Sequence, residues 1–482
     1  MVKKLFFILA TLGVATATQA GEGAKLSLSQ KDIAELVLKQ GLKAKEVDLK
    51  YQQLRFSTAQ ELTKYDWKLN VETGFEYDKS ATFSTNDTKY ERLRTLLGVN
   101  KSFITGTNLG LEFSRLSQKF DQGSLQFSQT PASATLDSVG LTLQQSILGN
   151  FLGATDRAQL AAVELNFQAN SLLRADELQD AVLEGIRLFW NSYVAQENFR
   201  ETMASRDRYK KLVDTVRRKS GYGYTSPGEL TQVQAELEVR EQAVKKASID
   251  YLANLENLQL FLDLPRGTEI EFVIPQQIPP LPSLAQKDIS QVRELRSQQL
   301  KVEAAQAAYD AAQNKSYPQV NLVGRIYATG ADETVEGSLP KALSGSNPKY
   351  YAGVQLTYNF GSDFQTEDII NKKSVYELEK TRLYRQKLEV SDREAQAQRK
   401  VAASFAIAES AKKQKEFRDK TVTELQRSYN QGRTDIRNLI EALNSYFNAE
   451  VQLTRALGDY QIALNEWAAI RDELIPDTTK EN

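Results

Sequence analysis

"WKLNVETGFEY", residues 67–77, alternates without a break. Trp67, Leu69, Val71, Thr73, Phe75 and Tyr77 fall on one face, and Lys68, Asn70, Glu72, Gly74 and Glu76 on the other. A side-chain period of two marks a strand with one apolar side. Working outward, "LRTLLGVNKSF" (93–103), "TNLGLEF" (107–113) and "VGLTLQQSI" (139–147) repeat the pattern. They predict strands at 67–79, 91–103, 107–118 and 136–148, with "FITGTN" as a tight turn between the middle two. Far downstream, "YPQVNLVGRIYA" and "YYAGVQLTYNF" alternate again and predict strands at 318–329 and 350–360, separated by a polar loop over 329–349.

The chain of 482 residues carries a net charge of −1 and contains neither cysteine nor histidine. Disulfides, thiolate nucleophiles, most zinc sites and every histidine-based triad are thereby removed. Nothing in the charge suggests nucleic acid. The 62 Asp and Glu residues are spread along helices, without the paired-carboxylate cleft of a glycosidase, so no enzymatic activity and no cofactor is expected. "MVKK", then "LFFILATLGVA", then "TQA" reads as a signal peptide over 1–20, cleaved after Ala20. No later run reaches about 18 consecutive apolar residues, so no membrane-spanning helix is expected. β-barrel strands alternate and escape such a scan.

Between the strands the spacing turns helical. Residues 28–63, 154–220, 229–262, 288–316, 362–431 and 435–474 read as helices, with a Pro-rich connector at 263–287 and a tail at 475–482. Residues 362–431 hold neither glycine nor proline, and such a helix approaches roughly 100 Å. After the turn "SGYGYTSPGE", a 3-4 spacing runs Leu230, Val233, Leu237, Arg240, Val244 to Phe261. After "RSYNQGRTDIRNLIEAL" (427–443) it runs Ile436, Leu439, Leu443, Tyr446, Glu450 to Trp467, in the same register. Sustained 3-4 spacing is the coiled-coil pattern. The order helix, strands, long helix, turn, coiled helix occurs over 21–262 and again over 288–474, which reads as an internal duplication. Strands apolar on one face and polar on the other, in an exported chain, suit a membrane barrel shared among several copies, since an open edge cannot face lipid.

At this point the mature chain resembles the TolC-like outer-membrane factors. "YPQVNL", the strand-to-helix exits "LQQSILGNFLGATDR" and "LTYNFGSDFQ", and above all "YNQGRTDIRNLIEALNSYFNAEVQLTRALGDYQIALNEW" carry the resemblance. It implies a homotrimer, mostly α with a shared transmembrane β-barrel continued by a coiled-coil α-barrel across the periplasm. That trimer would form the exit duct of a tripartite efflux or type I secretion system, fed by a periplasmic adaptor and an inner-membrane transporter of RND, ABC or MFS type. The family gives four strands per protomer. Here six would make eighteen in a trimer rather than twelve, unless 80–135 is an external hairpin. A periplasmic coiled-coil adaptor or scaffold is the alternative.

The resemblance places the periplasmic aperture at Tyr429, Thr434, Asp435, Asn438, Glu441 and Glu229. The family's paired acids fall on Asn438 and Glu441, and its gating arginine on Thr434. It places adaptor contacts at Gly223, Tyr224, Thr225, Gly432 and Arg433. From the residues alone, Asp435 also suits a helix N-cap, and "SPGE" (226–229) a capping box with Ser226 as N-cap and Pro227 at N1. Trp67, Tyr77, Tyr350 and Tyr358 suit an interfacial aromatic belt or plain strand packing.

Overall fold

A computed structural model describes residues 26–78, 90–120, 133–275, 277–284, 288–358 and 363–475. The expected signal peptide, Phe360 and nearly all of the 475–482 tail lie outside the described residues. The described chain divides into two compact units. One draws on 1–46, 178–287 and 393–482; the other on 47–177 and 288–392.

The second unit is built on a six-stranded sheet. Its strands are β2 (Trp67–Asp78), β3 (Tyr90–Ser102), β4 (Thr107–Phe120), β5 (Ser133–Leu148), β7 (Gln319–Asp332) and β8 (Pro348–Thr357). They lie in that order, each antiparallel to the next. β3 and β4 pair along the whole length of their neighbours, so residues 90–120 are full members of the sheet and not an external hairpin. Their "FITGTN" connection is a tight turn: the Phe103 N–H bonds Thr107 O at 2.8 Å, and Gly106 takes φ 71°.

Cross-strand register sorts the side chains. One face carries Leu69, Val99, Leu111, Leu141, Ile326 and Tyr350 as a continuous row, with Val71, Leu97, Phe113, Val139 and Ala328 beside it. The other face aligns Asn70, Gly98, Glu112, Asn100 and Gln144. The apolar side is not a core: Leu69, Val71 and Val354 are each about two thirds exposed. Along β4 and β5 its apolar run ends at Phe113 and Val139. The next row brings Arg115 and Asp137 together, with paired bonds of 2.8 Å. The helices that lead into and out of the sheet join it at one end, through Trp67, Leu148, Gln319 and Thr357, while the short helix between β7 and β8 packs at the other.

The first unit is helical. Its elements are β1 (Leu26–Ser29), α1 (Gln30–Gln40), α4 (Glu229–Phe261), β6 (Ile270–Val273) and α8 (Ile436–Ile470), with segments of α2 (Leu42–Leu62), α3 (Ala154–Gly221) and α7 (Phe364–Asn430). Val37, Val182, Ile186, Phe189, Trp190, Leu258 and Leu262 form its largest core. Each such side chain contributes about 1.5–3 kcal/mol by leaving water. α5 (Arg293–Lys315) belongs to the sheet unit, where the Ser297 hydroxyl bonds Ala169 O at 2.9 Å. No described helix is long and apolar enough to cross a membrane.

Four local expectations are corrected. Residues 28–63 are not one helix: Leu26–Ser29 is a strand pairing in parallel with β6, and Gly41 breaks α1 from α2 with ψ 133°. The connector 263–287 therefore contributes a strand. The polar loop 329–349 contains a helix, α6 (Val335–Leu343), capped by Thr334, whose hydroxyl accepts the Gly337 N–H at 3.2 Å. The capping box at Ser226 is absent. α4 starts at Glu229 behind Gly228 with φ 89°, because Ser226 spends its carbonyl on the Glu229 N–H in a turn. A capping box does occur at Ser29 and Asp32, where the Asp32 carboxylate takes the Ser29 N–H at 2.8 Å.

Candidate functional site

The two hairpin turns of the helical unit share one backbone solution. At the end of α3, the Gly223 N–H bonds Ser220 O and the Tyr224 N–H reaches back to Lys219 O, with φ 70° at Gly223. At the end of α7, the Gly432 N–H bonds Tyr429 O and the Arg433 N–H reaches back to Ser428 O, with φ 76° at Gly432. These five-back bonds satisfy helix-end carbonyls, and glycine supplies the left-handed residue they need. Five residues separate Gly223 from α4, and three separate Gly432 from α8.

Tyr429 joins the two turns. It is 4% exposed and packs with Tyr209, Val213, Val216, Val233, Ile436 and Leu439. Its hydroxyl donates to Glu229 Oε2 at 3.4 Å. Lys219 Nζ donates to its carbonyl at 2.5 Å and sits 4.1 Å from its ring centre. Burial, with the nearby Glu229 carboxylate adding, pushes the Tyr429 hydroxyl up to about 12, so it remains a donor at neutral pH. Of the expected aperture residues, the structure thus brings Tyr429 and Glu229 together.

The others lie at the start of α8, where Thr434 and Asn438 are joined and Asp435 and Glu441 stand apart. Asp435 is the N-cap: its carboxylate accepts the Arg437 N–H at 3.0 Å and lies 3.6 Å from Arg437 Nε. Asn438 Nδ2 donates to the Thr434 hydroxyl at 3.2 Å. Glu441 is exposed one turn further, with no bond to its carboxylate among the described residues. Arg433 and Gly432 are exposed at the tip, as are Gly223 and Tyr224, while Thr225 is half-buried. Tyr222, absent from the sequence reading, stands 77% exposed beside Tyr224 at 80%, their rings 6.5 Å apart.

Further along the helices lies a buried polar layer that sequence reasoning also missed. Asn444 Oδ1 accepts from the Tyr209 hydroxyl at 2.6 Å and from Arg240 Nη2 at 2.7 Å, with the guanidinium 5.4 Å from both the Tyr209 and Phe447 rings. Glu450, 5% exposed, accepts from Arg208 Nη2 at 2.8 Å. The signal was present: Arg240 and Glu450 occupy apolar-register positions in the 3-4 spacing, where polar residues set helix register.

Of the aromatic residues, Trp67 and Tyr358 lie at the helix-linked end of the sheet, Tyr77 at the far end of β2, and Tyr350 opposite Ile326 in the row of Leu69. Among the described residues, no group of His, Cys, Asp or Glu is arranged to hold a metal ion.

No family model and no curated protein sequence matches the chain. Its fold does match solved structures. The CmeC outer membrane channel of Campylobacter jejuni superposes with a TM-score of 0.68 at 14% identity, over 94% of this chain and 88% of that one. The VceC outer membrane protein of Vibrio cholerae gives 0.66 at 12%, over 92% and 97%. The open-state MtrE outer membrane channel of Neisseria gonorrhoeae gives 0.66 at 13%, over 93% and 90%. With a helical part and an antiparallel sheet matched over nearly the whole length, the chain has the fold of these outer-membrane channels, the one that its resemblance to the TolC-like outer-membrane factors implies.

Proposed function

We propose that this chain is one protomer of a trimeric exit duct in the outer membrane of a Gram-negative bacterium. Delivered by its signal peptide, it passively conducts substrate from an inner-membrane transporter, docked through a periplasmic adaptor, in a tripartite efflux or type I secretion system. The observation that carries this reading is the sheet. It is apolar and exposed on one side and polar on the other, and its outermost strands, β2 and β8, have no further strand partner among the described residues. Six alternating strands leave those two edges running in opposite directions. β8 of one copy can therefore meet β2 of the next antiparallel, and no parallel seam arises. Three copies close an eighteen-stranded ring, in the size range that encloses an aqueous channel. Closure satisfies every edge N–H and C=O, which lipid requires.

In this reading the two tips face the periplasm. Gly223, Tyr224, Thr225, Gly432 and Arg433 meet the adaptor. The Tyr429–Glu229 bond, with Lys219, holds the α7–α8 turn to the α3–α4 turn. Three copies of Glu441 line the entrance. Membrane fractionation tests the whole: the protein should stay with outer-membrane particles after salt and carbonate washing and release only in detergent. Recovery in the soluble periplasmic fraction would establish the scaffold alternative instead. For the entrance, Glu441→Ala should lower cation over anion selectivity in planar bilayers by about twofold, since one ring of carboxylates is removed. Unchanged selectivity and unchanged block by divalent cations would take Glu441 out of the pore.

A further inference from the structure

We propose that α6 is an interfacial helix that lies at the headgroup boundary of the outer leaflet and seats the rim of the sheet against lipid acyl chains. This rests on the barrel reading, in which the apolar face of the sheet meets lipid.

The placement of α6 is unusual for a hairpin connection. It joins β7 to β8 at the end of the sheet away from the helices, and it does not stand off into solvent. It folds flat onto the apolar face. A Cβ at Gly330 would come within 2.1 Å of Ser338 O and 2.3 Å of Ala342 N, so only glycine admits the helix so close. Ser338 and Ala342, one turn apart, are 0% and 1% exposed. The Ser338 hydroxyl donates to Asp137 Oδ2 at 2.7 Å. α6 thus covers the Arg115–Asp137 ion pair at the row where the apolar run of β4 and β5 stops. An ion pair left bare at that depth would face hydrocarbon, where it is costly.

The flank of α6 next to the buried Ser338–Ala342 line says what covers the helix in turn. Val335, Leu339 and Leu343 fall at i, i+4 and i+8, a single stripe. Val335 is 48% and Leu343 67% exposed, and Leu339 is partly exposed. The stripe lies beside the Ser338–Ala342 line by which α6 is seated on the apolar face of the sheet. Lys341 is tied to Asp332, with Nζ also 3.3 Å from Ala331 O. An apolar stripe with a lysine on the far side, on a helix docked to a lipid-facing surface, is the arrangement of an in-plane interfacial helix.

The absence of native cysteine makes the test direct. Single-cysteine variants Leu343→Cys, Val335→Cys, Lys341→Cys and Leu141→Cys are labelled with an environment-sensitive fluorophore. The intact trimers are reconstituted in phosphatidylcholine vesicles with or without bromine high on the acyl chains. Labels at 141, 335 and 343 should be blue-shifted and lose about half their intensity to brominated lipid, while a label at 341 keeps its intensity. Quenching at 141 but not at 335 or 343, with iodide quenching those two, would overturn the interfacial helix and leave the barrel standing. No quenching at any position would remove the barrel reading itself. Shielding of 335 and 343 from both quenchers would mean that protein covers the stripe, and would equally overturn the inference.

Discussion

Arg115→Ala should lower the stability of the sheet unit by about 3 kcal/mol and abolish assembly of the proposed trimer at growth temperature. Asp137 is fully buried, and its carboxylate is held by two Arg115 bonds and one from Ser338. Removing the guanidinium leaves a buried charge with only a serine hydroxyl to answer it. The variant's loss is the penalty of the orphaned charge more than the worth of the pair, and this can be separated. Arg115→Leu combined with Asp137→Leu removes both charges and should recover most of the stability, because replacing a whole buried pair by apolar groups is often nearly neutral. The thermal midpoint of the sheet, and the fraction of the proposed trimer surviving on a gel without boiling, measure both variants. A single variant as stable as the parent would show that the ion pair does not hold the rim.

Gly153→Ala should be at least as severe, about 3–5 kcal/mol, and for a different reason. The sequence "LGNFLGATDR" turns the chain from β5 into α3, and three residues there have positive φ: Gly149 at 79°, Leu152 at 46° and Gly153 at 77°. A non-glycine residue in such a conformation costs of order 1–3 kcal/mol. At Gly153 the added Cβ would also fall 1.7 Å from Ile104 O and 2.7 Å from Ile104 C. These are backbone atoms of the β3–β4 turn and cannot swing aside, so overpacking adds about 1–3 kcal/mol. The contact matters because it locks the tight turn against the corner through which the sheet is joined to α3. Gly221→Ala is the control: nothing lies within 4 Å of its Cβ, and it ends α3 without positive φ. It should be neutral or stabilising by about 0.5 kcal/mol. Equal yields of folded protein from both glycine variants would contradict the steric account.

Much of this was legible along the chain. The faces of β2, from Trp67 to Tyr77, follow from alternation alone, because a strand turns each side chain opposite to the last. Gly223 and Gly432 could be picked out as turn residues because a helix end needs one left-handed residue within a few positions. Asp435 as N-cap was likewise readable from its own neighbourhood. The helical period also ran correctly through α3 and α7.

Other features could not be read that way. Residues 90–120 alternate like any strand, yet whether they enter the sheet depends on pairing with β2 and β5. Leu26–Ser29 looks like the start of a helix and becomes a strand only because Ile270–Val273 lies beside it. α6 hides in a polar loop and is held by Gly330 and Asp137 from other strands. Tyr429 meets Glu229 across 200 residues. α4 starts at Glu229 as its period predicts, but the Ser226 capping box is lost because the turn gives the Glu229 N–H to the Ser226 carbonyl. The sequence by itself determined which residues share a face and where the backbone must reverse, since both follow from dihedral geometry over a few residues. Only the tertiary structure decided which faces meet, because those contacts join segments whose closeness comes from chain closure and packing and leaves no local period to read.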